Sequence, residues 1–152
     1  MGIDPGLNIT GVGIVQKLGR EVKFVHGEVI RSSKQGSVQH KLLNIYQRVL
    51  ALIDEYNPDV CVIEEVFYSI NVKTAITMGH TRGVIMLAGM MREKEIISYS
   101  PRDVKLAVVG TGSASKEQVQ FMVKNILGLR ELKGPMDLSD ALALALCHAN
   151  RN

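Results

Sequence analysis

The order of strand-like and helix-like patterns constrains the fold of this chain more than any other feature. Three strand-like segments come first, at residues 1–4, 11–17 and 22–30, and tight turns join them into an antiparallel meander. Strict alternation predicts that Val22, Phe24 and Ile30 share one face of the third strand. Apolar residues spaced by four and three positions over 38–53 then predict an amphipathic helix of about five turns.

Strands and helices alternate in the rest of the chain. The apolar run over 60–64 ends in carboxylates and is typical of a buried parallel strand, and 96–99 forms a fifth strand. Helices are predicted over 72–94, 101–109, from Ser113 or Ser115 to 127, and over 136–149. We expect an α/β fold: a mixed five-stranded sheet, three antiparallel strands then two parallel, with helices on both faces.

Length and composition fit one globular domain spanning residues 1–152. Hydrophobic residues make up 46% of the chain and charged residues 22%, and no apolar run approaches the length of a membrane span. Asp4 and Pro5 stand where a signal peptide would be basic and then apolar. Cys61 and Cys147 lie in apolar runs, which predicts buried reduced thiols and a cytoplasmic protein. The net charge of +3 is weak evidence for a nucleic-acid partner.

Acidic residues stand at two strand ends and at the start of the last helix. Asp4 closes the first strand, Glu64 and Glu65 close the fourth, and Asp137 and Asp140 share one face of the final helix. If the first and fourth strands are neighbours, Asp4 lies beside one of the two glutamates. Alternation sends the other glutamate to the opposite face. The final helix, laid across the same end of the sheet, adds Asp137 and Asp140, so four carboxylates are predicted to meet.

Such a cluster is unfavourable unless a cation compensates it. One pair of carboxylates at ~4 Å repels by roughly 4 kcal/mol at an effective dielectric of ~20. Hard divalent cations accept oxygen ligands, and two of them ~3.5–4 Å apart stabilise phosphoryl transfer. Simpler interpretations exist: Asp4 as a turn residue, and Asp137 as an acid favoured by the helix dipole. Glu64, which closes a buried strand, is harder to explain in that way.

A series of short motifs follows one order over essentially the entire chain. The motifs are Gly2-Ile3-Asp4-Pro5-Gly6 with Thr10-Gly11, Ile63-Glu64-Glu65-Val66-Phe67, Gly79 with Arg82-Gly83-Val84, Val104-Lys105, Val109-Gly110 with Gly112, Ser115-Lys116, and Asp137-Leu138-Ser139-Asp140-Ala141-Leu142-Ala143 with His148. The Asp-Pro-Gly opening alone also resembles the phosphate hairpin of actin-like ATPases, but the whole series resembles the RuvC family of Holliday-junction resolvases.

This resemblance implies a ribonuclease-H-like fold and a homodimer that nicks four-way DNA junctions symmetrically. It implies two Mg²⁺ ions per site, for which Mn²⁺ can substitute, and products with 5′-phosphate and 3′-hydroxyl ends. It also implies a branch-migration motor complex as a partner. The helix over 72–94, rich in Met, Ile and Gly, is the candidate dimer interface.

The resemblance also implies roles for individual residues. The catalytic, metal-binding acids are Asp4, Glu64, Asp137 and Asp140, whereas Glu65 faces away as a structural or supporting residue. DNA-binding roles fall on Phe67, which stacks on a base near the junction centre, and on the basic pair Lys105 and Lys116. The simpler interpretations are a core phenylalanine and two solvated lysines. The resemblance assigns no role to Arg82, and His148 is expected to be a hydrogen-bonded or surface histidine.

Three other functions remain open from the sequence. An actin-like nucleotide phosphatase uses the same hairpin but needs a far longer chain. A non-catalytic junction-binding scaffold would tolerate loss of the acids. A ribonuclease-H-like enzyme could act on another branched nucleic acid. Once four of the 15 Asp and Glu side chains are neutralised by metal ions, the 18 Lys and Arg side chains dominate the surface, as DNA binding requires.

Overall fold

The computed structural model describes residues 1–65, 71–132 and 134–151. Its centre is the predicted mixed sheet, with strand order β3-β2-β1-β4-β5. The first three strands form the antiparallel meander, and β4 and β5 run parallel to β1. The strands are β1 (Gly2–Asp4), β2 (Ile9–Leu18), β3 (Glu21–Arg31), β4 (Val60–Glu64) and β5 (Glu95–Tyr99).

Within the described residues, five helices cover the two faces of this sheet, as predicted. Ser115, rather than Ser113, caps α4 through a reciprocal capping box with Gln118, and Asn57 ends α1 in the left-handed conformation. The long second helix ends at Met90, one turn earlier than its pattern predicted, because a turn over 91–93 leads into β5. The helices are α1 (Val38–Tyr56), α2 (Val72–Met90), α3 (Pro101–Val109), α4 (Lys116–Ile126) and α5 (Met136–Arg151).

Two hydrophobic cores lie on opposite faces of the sheet. Ile3 and Ile63 point into the core under α1 and α2, whereas Val62 points into the core under α3, α4 and α5. Cys61 and Cys147 are buried free thiols, one in each core, as predicted. Within the described residues, no helix combines the length and hydropathy needed to cross a membrane.

β3 carries a β-bulge at Val25, where one extra residue enters the ladder with β2. The prediction that Val22, Phe24 and Ile30 share one face is therefore wrong. The bulge reverses the alternation, so that Val22 packs with the core under α5 and Ile30 packs with the core under α1. A bulge leaves no mark in a simple alternating pattern of apolar residues.

Three glycines let α5 lie directly on the sheet. Gly2 and Gly13 are cross-strand partners, and Gly11 pairs with Asp4. A Cβ atom on Gly2 would lie 2.1 Å from the carbonyl oxygen of Ala141, and one on Gly11 would lie 2.0 Å from that of Asp137. Only residues without a side chain permit this approach. The start of α5 is thereby brought to the strand end that carries Asp4.

Candidate active site

The four predicted acids converge where β1 and β4 end and α5 begins. Ile3 pairs with Ile63 in the parallel ladder, so Asp4 and Glu64 follow side by side on the two strands. Glu64 points to the face that α5 covers, because Val62, two residues earlier, packs into that core. Asp4 points to the same face, because its ladder partner Gly11 lies against α5. The carbonyl of Asp137 contacts Gly11, the ladder partner of Asp4.

Asp4 interacts electrostatically with all three of the other acids. Burial is the main cause that raises the pKa of Asp4 to about 7, and the charges of Glu64, Asp140 and Asp137 raise it further. The ammonium group of Lys116 acts in the opposite direction. A carboxyl group that titrates near neutral pH is a mark of a functional site, because such an environment is costly without a task.

Two lysines bring positive charge to this cluster. Burial and the charge of Asp140 raise the pKa of Glu64, while Lys116 and Lys105 lower it. Lys116 Nζ donates a hydrogen bond of 2.9 Å to Asp140 Oδ2, and this contact is the main cause that raises the pKa of Lys116. The side chain of Asp140 is only 23% exposed, whereas that of Lys116 is 64% exposed and faces solvent above the acids.

The chemistry of the four acids fits a hard divalent cation, although their arrangement is not a closed metal cage. Carboxylate oxygens are the ligands that Mg²⁺ prefers, and the mutual repulsion that raises the pKa of Asp4 is relieved by a cation. Across residues 1–65, 71–132 and 134–151, no group of three or more His, Cys, Asp or Glu side chains is close enough to hold a metal ion as it stands. The acids thus lie within electrostatic range of Asp4 but do not adopt coordination geometry.

Comparison with known proteins decides the family. Residues 1–148 match the family model described as crossover junction endodeoxyribonuclease RuvC. The RuvC protein of Alkaliphilus metalliredigens is 46% identical over 150 residues, covering 99% of this chain and 92% of that protein. The chain belongs to the RuvC family.

Solved RuvC structures share the architecture. The Thermus thermophilus RuvC structure is similar with a TM-score of 0.89 at 36% identity, covering 98% of this chain and 92% of the other. The T. thermophilus RuvC in complex with a Holliday junction substrate gives a TM-score of 0.93 at 36% identity, covering 99% and 92%. The predicted ribonuclease-H-like fold is therefore confirmed.

Arg82 is a residue of this RuvC-family site whose position the sequence did not reveal. From α2, its Nη1 donates to the backbone oxygen of Glu64, and its Nη2 donates to Ser98 Oγ at 2.6 Å. The guanidinium therefore joins the ends of β4 and β5 directly behind Glu64. Arg82 belongs to one of the family motifs. Arginines on helix surfaces are so common, however, that the sequence alone does not indicate this contact.

Three residues considered in the sequence remain to be placed: Phe67, Glu65 and His148. Phe67 lies outside the described residues. Glu65 is exposed, and its backbone N–H donates to the oxygen of Tyr99 at 2.9 Å, consistent with a residue that faces away from Asp4. His148 forms a hydrogen bond of 3.0 Å with the hydroxyl of Tyr99 and borders a cavity with Met1 and Lys17, at the end of the sheet opposite the acids.

Proposed function

We propose that this chain is a structure-selective endonuclease that resolves Holliday junctions by paired, symmetric, metal-dependent nicking during recombination and repair. The observation that carries this proposal is the convergence of four carboxylates around Asp4, with its pKa near 7, in a RuvC-family chain. A relative with 36% identity and a TM-score of 0.93 has been solved with a Holliday junction, which supports the same substrate here.

The proposed reaction is phosphodiester hydrolysis that leaves 5′-phosphate and 3′-hydroxyl ends. RuvC-family membership implies a divalent metal ion, and we propose two Mg²⁺ ions, replaceable by Mn²⁺. Asp4, Glu64, Asp137 and Asp140 would hold them. When bound, the ions supply charge neutralisation at the scissile phosphate and lower the pKa of water. Residues 1–152 would act as one nuclease domain.

Two lysines are proposed to orient the DNA strand over these acids. Lys116 contacts Asp140, and Lys105 lies within electrostatic range of Glu64, so both charges are available to a phosphate that approaches the acids. Phe67 is proposed to stack on an unpaired base near the junction centre, a contact worth ~1–3 kcal/mol per base. Lys105 and Lys116 then hold the strand while the acids hold the metal.

A homodimer is proposed because two matched cuts need two sites related by a two-fold axis. The exposed side of α2 supports this role, since large apolar side chains are exposed along the helix and just after its end: Val72, Ile76, Met86, Leu87, Met90 and Met91. Among the described residues, Gly79 and Gly83 on the same helix have no atoms close to where a Cβ would stand, which leaves space for a second helix. A branch-migration motor complex is the proposed further partner.

The experiment that tests this function compares a synthetic four-way junction with a linear duplex of the same sequence. With Mg²⁺, we expect symmetric nicks in the junction only, and the nicked products should be directly ligatable. With EDTA, we expect no cleavage. Junction binding without any cleavage would favour the non-catalytic scaffold, and ATP hydrolysis without DNA would favour the actin-like phosphatase.

A further inference from the structure

A basic groove lies beside the candidate active site, between the end of β3 and the start of α1. Its volume is ≈ 450 Å³, and its cationic lining residues are Arg31, Lys34 and Lys41. Arg31 and Lys41 also border an adjoining groove of ≈ 270 Å³ together with His40. None of these residues has a role in the proposed catalytic site.

No acidic side chain from this part of the chain offsets the positive charge. Between Val29 and Ile53 the sequence contains neither Asp nor Glu. Glu28, which precedes this stretch, is occupied by hydrogen bonds of 2.7 and 2.6 Å from the guanidinium of Arg48. Arg31 and Lys34 are exposed, and neither forms an ion pair within the part of the chain that the structure describes.

The groove is connected to the turn over residues 5–8, which follows Asp4 at the end of β1. Asn8, at the end of that turn, accepts a hydrogen bond of 2.7 Å from Lys41 Nζ through its side chain. Its backbone oxygen accepts one of 3.0 Å from the N–H of Ser32. Ser32 also lines the groove, and its buried hydroxyl has no partner among the described residues.

Sheet register places Arg31 on the same face as Asp4. Asp4 pairs with Gly11, Gly11 pairs with Val29, and Arg31 lies two residues beyond Val29 on the same strand. Two strand spacings and two residue rises separate Asp4 from Arg31 by roughly 12 Å. Phosphates follow one another by about 3.4 Å per nucleotide along the axis of a DNA strand, so the groove lies roughly three to four nucleotides from the acids.

We propose that the groove lined by Arg31, Lys34 and Lys41 binds backbone phosphates of a junction arm, three to four nucleotides from the cleaved bond. This inference rests on the proposed function and adds a contact site to it. Lys41, which donates to Asn8, links the bound arm to the turn that follows Asp4. The contact is with phosphate, so it adds affinity and orientation without base specificity.

The first test is junction binding by Arg31→Gln/Lys34→Gln in EDTA, measured by fluorescence anisotropy over a series of salt concentrations. The matched control is Arg20→Gln/Lys23→Gln, which removes the same charge at the far end of the same hairpin. For the groove variant we expect affinity about 5–20-fold weaker and a salt slope smaller by about 1–2. The control should stay close to wild type.

The second test removes charge from the DNA instead. Uncharged methylphosphonate linkages at the third and fourth phosphates on either side of the cleavage site should weaken binding by wild type. They should have little further effect on Arg31→Gln/Lys34→Gln. Equal binding by the groove variant and its control, or equal sensitivity of both to the neutral linkages, would overturn the groove. A wild-type protein that neither binds nor cleaves the junction would instead overturn the proposed function.

Discussion

Asp4 is the residue at which the demands of folding and of the site conflict. It is a largely buried carboxyl group beside three other acids, and this environment raises its pKa from 3.8 to about 7. Between these two pH values the folded chain keeps a proton that the unfolded chain has lost. The stability of the metal-free protein therefore falls as pH rises from about 4 to 7, by roughly 4 kcal/mol at most from this group.

Replacing Asp4 should reveal this cost. In EDTA at pH 8, we expect Asp4→Asn to raise the free energy of unfolding by about 1–3 kcal/mol relative to wild type, because the amide carries no charge. Near pH 4 the two proteins should be equally stable. Denaturant unfolding at both pH values measures the difference. Asp54→Asn, at an exposed ion pair with Arg92, is the control and should give no gain. A less stable Asp4→Asn at pH 8 would contradict the account of this residue.

Arg82 provides a second prediction at the scale of single residues. Its planar guanidinium reaches the oxygen of Glu64 and Ser98 Oγ together, a geometry that a lysine cannot reproduce. We expect Arg82→Lys to lower the cleavage rate by about 10–100-fold through displacement of Glu64, with junction affinity changed less than about threefold. Single-turnover cleavage and binding in calcium separate the two effects.

Arg92→Lys is the matched control for Arg82→Lys, since Arg92 forms its ion pair at an exposed position just after α2. It should leave cleavage unchanged. A wild-type cleavage rate in Arg82→Lys would show that Arg82 does not position Glu64.

The convergence of the four acids could be predicted from the sequence and its family motifs, whereas the contacts around them could not. Asp4 and Glu64 can be identified as candidates because a carboxylate at the end of a buried strand is chemically unusual. The contacts of Arg82 and of Lys116 with Asp140 depend on where long, flexible side chains end, and sequence spacing does not determine this. The proposed roles in cleavage of the four acids, Arg82 and Lys116 remain predictions.

At the scale of elements, the site depends on how closely α5 approaches the sheet. We expect Gly11→Ala to destabilise the protein by about 1–3 kcal/mol, because its Cβ would overlap the carbonyl of Asp137 and force the helix away. Cleavage should fall more than stability alone explains, since Asp137 moves with the helix. Thermal unfolding and cleavage below the melting temperature measure the two effects.

Gly36→Ala is a suitable control for Gly11→Ala, because its Cβ would meet no atom nearer than 3.5 Å. It should cause little loss of stability. If Gly11→Ala proved as stable and active as Gly36→Ala, close packing of α5 would not be what places Asp137.

The elements themselves were predicted well, and the exceptions have local causes. Five strands and five helices lie where periodicity places them. The face reversal in β3 was missed because the bulge at Val25 depends on pairing with β2. The sequence shows glycines at 2, 11 and 13. That all three make room for α5 becomes clear only when the strand register places them under this helix.

At the scale of the whole molecule, the proposed dimer would make cleavage symmetric. Leu87 on α2 is 52% exposed, and Leu43 on α1, at 51%, is its matched control. We expect Leu87→Glu to weaken dimerisation at least tenfold in sedimentation and to convert paired cuts into single nicks, because a charge would be buried at the interface. Leu43→Glu should remain dimeric. A dimeric, symmetrically cutting Leu87→Glu would remove α2 as the interface.

The whole-molecule architecture was predictable because each level of the sequence points to the same fold. Motif order identified the family, and the alternation of strands and helices independently predicted the sheet. The groove proposed to contact the junction was not predictable in the same way. The groove at Arg31 arises from the β3–α1 connection, where register brings residues distant in sequence from the acids to the same end of the sheet.

The most direct test of the central claim compares cleavage of a four-way junction by wild type, Asp4→Asn, Glu64→Gln and Glu65→Gln, with binding measured in calcium. We predict that Asp4→Asn and Glu64→Gln bind the junction but lose at least about 1000-fold in cleavage rate, since each removes a carboxylate from the reacting centre. Glu65→Gln, whose side chain faces away, should cut like wild type. Equal cleavage by all four proteins would contradict the assignment of these acids as the catalytic site.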